Sequence, residues 1–207
     1  VDISTAGAML VNSTLARGGI LMDITDLITP FEDRFAPGML KPYIIGDRVW
    51  GIPWGTASSS MFYYNKTLFD ELGLEEPKTY EDLLVIRQAV QENTDMMTMV
   101  HQGKAPWMWP MWFFETFAQT SGNSSVEFIV EFLSGNKSFD DPDAVAAFEA
   151  IGDFYGDGVV TQASLDTDHD GMLAAFAQQK AAMFYGGLWE IGVGRDAVTG
   201  SEFGILE

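Results

Sequence analysis

The chain has 207 residues, of which 30 are Asp or Glu and 11 are Lys or Arg, giving a formal net charge of −19 at pH 7. A field this negative repels phosphate, so nucleic acid is excluded as a partner. Hydrophobic residues make up 47% of the chain and aromatic residues 13%. This is too apolar for an acidic disordered segment, so the composition indicates a folded globular protein.

Cysteine is absent, which excludes disulfides, thiolate metal sites and cysteine nucleophiles. No apolar run approaches the roughly 20 residues that cross a bilayer, and no basic, apolar leader opens the sequence. Because the chain starts at Val1 without an initiator Met, we expect a fragment or a processed chain that lacks its signal segment. The length permits one large domain or two small ones.

The first predicted elements are a β-hairpin and a buried strand. Residues 43–45 and 48–50 flank Gly46 and Asp47, a two-residue connection typical of a tight hairpin. The unbroken apolar run at residues 61–64 indicates a buried strand. A short helix is then predicted from Asn65 to Gly73.

Two further helices carry strong start signals. Thr79 with Asp82 three residues later forms an acidic variant of the capping box. Asp141 followed by Pro142 places a cap before a proline at the first helical position, where its missing N–H costs nothing. These signals predict helices that begin at residues 80 and 142.

The last third of the chain predicts a helix, a strand and a turn. The helix spans about residues 170–179, and the apolar run 181–185 indicates a buried strand that ends at Gly186 and Gly187. A helix opens near Trp189, and residues 203–206 predict one more strand. Since helices and short apolar strands alternate, the expected fold class is α/β with mainly parallel sheets.

One acidic loop resembles a calcium-binding sequence. Asp166, Asp168 and Asp170 alternate ahead of a glycine, as in the first half of an EF-hand loop. The twelfth position is Ala177, where that motif requires a bidentate Glu. The alternative is that the loop caps the following helix and complements its dipole. We therefore expect no metal site, with the three aspartates as weak candidates.

The two histidines, His101 and His169, stand without the spacing of a zinc motif or a nucleophile elbow. Enzyme chemistry would therefore have to come from carboxylates. A glycosidase would need two acids about 5 to 9 Å apart in a cleft, and Glu115 or Glu190 beside another acid would favour that hypothesis. We expect no enzyme activity and no cofactor.

Tryptophans carry the strongest signal for a binding site. Trp107, Trp109 and Trp112 lie within six positions. Helical spacing after Pro110 predicts that Met111, Phe114 and Phe117 face the core and that Trp112 points elsewhere. Trp54 and Trp189 lie in or beside loops that are rich in small residues. Flat apolar rings next to polar loops are suited to the C–H faces of sugars and also attract cations.

The order of several short motifs resembles the bacterial extracellular solute-binding proteins of family 1, which are similar to maltose-binding protein and serve ABC importers. The matching stretches lie at residues 18–24, 50–53, 61–74, 77–83, 176–183 and 187–189. Together they cover nearly the whole chain.

The resemblance implies a type II periplasmic-binding-protein-like fold, with two α/β lobes joined by crossing hinge strands and a ligand held in the cleft. It implies that residues 1–53 are part of lobe 1, that residues 54–180 form most of lobe 2, and that residues 181–207 return to lobe 1. The chain would be truncated at both ends. The implied ligand-binding residues are Trp189, which aligns with a ligand-stacking tryptophan of that family, together with Trp54, Thr56, Trp107, Trp109, Trp112, Gly7, Met9 and Glu190.

The implied function is capture of an extracytoplasmic sugar or oligosaccharide for a cognate ABC permease. We expect a monomer in the periplasm or lipid-anchored at the cell surface. Three alternatives remain open: the same fold binding a cationic solute such as a polyamine, a carboxylate-dependent glycosidase, and a calcium-dependent adhesin or structural protein.

Overall fold

A computed structural model of the chain describes residue 3 and residues 14–53, 60–192 and 202–205. These residues divide between two compact units, Val1–Ala57 and Ser58–Glu207.

The first unit contains short elements around one hairpin. Helix α1 (Thr25–Ile28) is followed by 3₁₀ turns at Thr29–Arg34 and Lys41–Tyr43 and by strands β1 (Ile44–Ile45) and β2 (Arg48–Val49), which pair antiparallel. Gly46 and Asp47 both have positive φ, at 57° and 61°. Positive φ at both central positions suits a type I′ turn, so the predicted hairpin is confirmed.

The second unit alternates strands and helices. Its strands are β3 (Ser60–Asn65), β4 (Met97–Val100), β5 (Ala181–Gly187) and β6 (Phe203–Ile205). Its helices are α2 (Lys66–Leu72), α3 (Tyr80–Asn93), α4 (Met108–Ser121), α5 (Ser125–Leu133), α6 (Pro142–Gly156) and α7 (His169–Ala177), and a 3₁₀ turn spans Gln162–Asp166.

The predicted caps position these helices. The Thr79 hydroxyl accepts from the Asp82 N–H, and the Asp82 carboxylate accepts from the Thr79 N–H. The Asn65 side chain accepts from the Leu68 N–H at the start of α2, and the Asp141 side chain accepts from the Asp143 N–H at the start of α6. Each bond pairs an N–H that has no partner within its own helix.

The sheet is mixed, whereas the sequence predicted mainly parallel pairing. Its strand order is β4–β5–β3–β6; β4 and β5 are parallel, and β3 is antiparallel to both β5 and β6. Strand β5 lies between β4 and β3, and all seven of its residues are buried. An apolar strand of this kind is most stable with neighbours on both edges and both faces. The expectation that residues 181–207 return to lobe 1 stays a prediction.

Alternate side chains of the strands enter two cores. On one face Tyr64, Met183 and Tyr185 pack with helices α2 to α6. On the other face Tyr63 and Phe184 stack at a centroid distance of 4.5 Å and pack with Met172 and Phe176 of α7. The sheet is therefore the middle of three layers.

Candidate functional site

The carboxyl ends of β4 and β5 lie side by side, because these two strands are parallel and adjacent. In open α/β sheets, ligands bind in the crevice beyond these ends. The loop after β4 leads to Trp107, and the turn after β5 carries Trp189. This edge is the candidate site within the second unit.

Trp107 and Trp189 form a ring pair at this edge. Their ring centroids are 5.8 Å apart and their planes are inclined by 51°. Trp107 is 49% exposed and Trp189 is 44% exposed. The two rings therefore support each other and still present apolar surface to a ligand.

The position of Trp189 depends on the glycine two residues before it. A Cβ built on Gly187 would lie 2.2 Å from the Trp189 indole, so only glycine lets the ring lie against the strand. The Tyr63 hydroxyl donates to the Gly187 carbonyl oxygen over 2.8 Å. A hydrogen bond from β3 therefore holds the end of β5 against which the Trp189 ring lies.

Glu190, the residue after Trp189, is fully buried. Its Oε1 lies 2.8 Å from Nε2 of His169, and within the described part of the chain its Oε2 has no hydrogen-bond partner. Burial opposes charge on His169, but hydrogen bonds and charges from Glu190 and Asp170 outweigh it and raise the pKa of His169. No sequence motif links His169 to this partner, which lies 21 positions further along the chain.

Trp109 and Trp112 pack around the buried His101. Their rings lie edge-on to the imidazole at 5.0 and 4.7 Å. The Trp109 Nε1–H donates to the Gly103 carbonyl oxygen, and Trp112 is 1% exposed. The prediction that Trp112 points away from the core is wrong: α4 turns Met108, Trp112 and Phe117 inward together. Burial lowers the pKa of His101 to about 4.

The other proposed ligand contacts, Gly7, Met9, Trp54 and Thr56, lie outside the described residues.

The acidic loop acts as a helix cap. The Asp168 carboxylate accepts from the Gly171 N–H over 2.9 Å at the start of α7, and Asp170 is 99% exposed at its side chain. No cluster of three or more metal-ligating side chains occurs in the described ranges, Asp166 included. The loop therefore has the arrangement that the capping alternative requires.

A cavity of about 590 Å³ opens elsewhere in the second unit, over β3 and β5. Its wall combines aromatic rings with charged side chains, Glu115, Asp153 and Lys78. The aromatic residues that line it are Phe62, Tyr80, Trp112, Phe154 and Tyr185. The cavity itself was not predicted from the sequence, because its lining residues come from separate elements with no common motif.

No helix in the described ranges combines the length and the apolar character needed to cross a membrane.

Known proteins resemble this chain in sequence and in fold. A curated relative from Pyrococcus horikoshii, described as an uncharacterized ABC transporter extracellular-binding protein, is 24% identical over 136 residues, which is 65% of this chain and 31% of the relative. A solved chitin oligosaccharide binding protein superposes with a TM-score of 0.76 at 21% identity, covering 94% of this chain and 48% of that one. The solute-binding protein RafE in complex with raffinose gives a TM-score of 0.72 at 20% identity, covering 99% and 52%.

The chain thus spans about a third of the curated relative and about half of each solved structure. Its fold is a partial type II periplasmic binding protein fold, as the sequence predicted. The model of the family described as bacterial extracellular solute-binding protein matches residues 3–204. The chain therefore belongs to the bacterial extracellular solute-binding protein family.

Proposed function

We propose that the chain is part of the substrate-binding component of an ABC importer and captures a sugar or oligosaccharide. The observation that carries the proposal is the half-exposed pair Trp107 and Trp189 at the carboxyl edge of two parallel strands. Similarity to proteins described as binding chitin oligosaccharide and raffinose supports the same class of solute.

The ring pair suits a pyranose, because the C–H face of this sugar ring is flat and apolar. The hydroxyls of the sugar need polar partners in addition. Trp189 supplies the main stacking surface, and Trp107 holds its ring and extends the platform. Trp109 contributes through the loop that it anchors at Gly103. Trp54, Thr56, Gly7 and Met9 complete the proposed contacts. The protein releases the solute unchanged to its permease, acts as a monomer outside the cytoplasm, and needs no cofactor.

Calorimetric titration of the protein with chitin oligosaccharides, raffinose and maltotriose tests this function. Trp189→Ala should weaken binding of the accepted sugar about tenfold or more, as expected for a tryptophan anchor worth over about 1.4 kcal/mol. Phe148→Ala is the matched control, because Phe148 is 47% exposed but lies on α6. Failure of every sugar to bind, or equal losses in both variants, would contradict the proposal.

A cationic solute is the second candidate, favoured by the 590 Å³ cavity. Glu115 and Asp153 share its wall with aromatic rings, and carboxylates with π faces attract ammonium groups. The net charge of −19 adds to this attraction. Titration with spermidine separates the two candidates: binding that Glu115→Gln and Asp153→Asn weaken, and that Trp189→Ala leaves unchanged, would assign a polyamine to this cavity.

A further inference from the structure

The turn that carries Trp189 is held by one buried carboxylate. Glu190 follows Trp189 directly and is fully buried. A Cβ on Gly186 would lie 3.0 Å from the Glu190 Cγ, so this side chain packs on the end of β5. Its charge also acts on Tyr63, whose hydroxyl bonds the Gly187 carbonyl. Glu190 therefore contacts the strand end against which the Trp189 ring lies.

A buried carboxylate is stable only when hydrogen-bond donors or an opposite charge compensate its lost hydration. Among the described residues, the side chain that hydrogen-bonds Glu190 is His169, through Nε2 and Oε1 at 2.8 Å. His169 lies at the start of α7, an element that packs on β5. Without this donor, the carboxylate would move toward water and take the turn with it.

We propose that His169, acting through Glu190, is a positioning residue that sets the orientation of Trp189 toward Trp107 and makes the ring pair depend on pH. If the chain binds a sugar as proposed above, its affinity for that sugar should follow the same pH dependence. This consequence is the one part of the proposal that rests on the proposed function.

The sign of the pH dependence follows from the groups that face the pair. His169 is faced by Glu190 and by Asp170, whose Oδ1 lies 3.4 Å from Nδ1, and Glu190 is also faced by the Tyr63 phenol. The pKa of His169 is raised above its ordinary value of 6.5. The charge that His169 brings to the pair is therefore fully present below pH 6.5 and is lost as pH rises through the raised pKa. Above it, neutral His169 keeps one hydrogen bond without the charge.

Exciton-coupled circular dichroism tests the proposal without any solute. Two indoles 5.8 Å apart and inclined by 51° couple their electronic transitions and give a pair of circular dichroism bands of opposite sign, called a couplet. Subtracting the Trp107→Phe spectrum from the wild-type spectrum separates this couplet from the signal of the stacked pair Trp109 and Trp112. We expect this difference couplet to shrink as pH rises above 6.5. In H169Q, whose amide donates but does not titrate, it should stay constant with pH.

Three controls make the result decisive. Of the two histidines in the chain, His101 has its pKa lowered by burial to about 4, so it contributes nothing above pH 6.5, where His169 loses its charge. D170N should leave the couplet in place at low pH, because the exposed Asp170 does not touch Glu190, but should lower the pH at which the couplet shrinks, because Asp170 helps to raise the pKa of His169. E190Q should reduce the couplet at every pH, and thermal melts of each variant confirm that it folds.

A couplet that is independent of pH in the wild type, or that responds to pH equally in H169Q, overturns the proposal. So does a wild-type spectrum identical to that of Trp107→Phe, because the rings would then be unpaired. Raffinose titration on either side of the pH at which the couplet changes gives the separate arm. If the couplet follows His169 but raffinose and the other sugars do not bind, the positioning role stands and the proposed function fails.

Discussion

Gly187→Ala is the substitution that most directly tests the geometry of the ring pair. The added Cβ would lie 2.2, 2.3 and 2.4 Å from Cη2, Cζ2 and Cζ3 of the Trp189 indole. Non-bonded carbons sit about 3.5–4.0 Å apart at their optimum, so the ring must move by more than about 1 Å.

The magnitude follows from where the ring can go. Overpacking a closed core costs about 1–3 kcal/mol, but Trp189 is 44% exposed and can swing outward. The cost should therefore fall near the lower limit, at about 1 kcal/mol, with loss of the contact to Trp107 included. For a chain of this size, that lowers Tm by about 2–4 °C.

Gly152→Ala is the matched control for this substitution. Gly152 lies inside α6, and a Cβ there meets no heavy atom within 4 Å. Alanine should stabilise the helix by about 0.5–1 kcal/mol, so the same chemical change should shift Tm in opposite directions at the two positions. Thermal unfolding with tryptophan fluorescence measures both effects. Equal upward shifts, with unchanged emission in Gly187→Ala, would refute the reasoning.

Three further predictions concern the core and the caps. Trp112→Ala should lower the free energy of unfolding, measured in urea, by about 3–5 kcal/mol, because this ring is 1% exposed. Trp107→Ala should lower it far less, and equal losses in the two variants would contradict the burial argument. Thr79→Ala removes the hydroxyl that accepts from the Asp82 N–H and should cost about 1 kcal/mol, with Thr79→Ser as the variant that retains the stability. Because burial holds the pKa of His101 near 4, against an ordinary 6.5, stability should fall as pH drops from 6.5 toward 4, by about 1.4 kcal/mol per pH unit. The raised pKa of His169 adds no slope there, so a His101→Asn variant that keeps the wild-type slope would refute this assignment.

The candidate site could be predicted from the sequence only in part. Trp189 and Trp107 were found because glycines and loops beside tryptophans are a local signal, and the structure brings the two rings into contact. Trp112 was placed on the wrong side of its helix. Its spacing from Pro110 could not show that α4 is covered by other elements, so that the buried face includes Trp112.

The sequence by itself determined the features that depend on neighbours in the chain. The hairpin at Gly46 and Asp47, the capping box of Thr79 and Asp82, and the Asp168 cap follow from backbone conformations and hydrogen bonds that close within four residues.

Only the tertiary structure decided the strand order and the pairing of His169 with the buried Glu190. Strand direction in the mixed sheet depends on which strands become neighbours. Strand β5 pairs with β3, more than a hundred residues before it in the chain, in the register of Tyr185 with Phe62. His169 meets Glu190 because α7 packs on that same strand. Such contacts arise from the burial of whole faces, which no short window of sequence encodes.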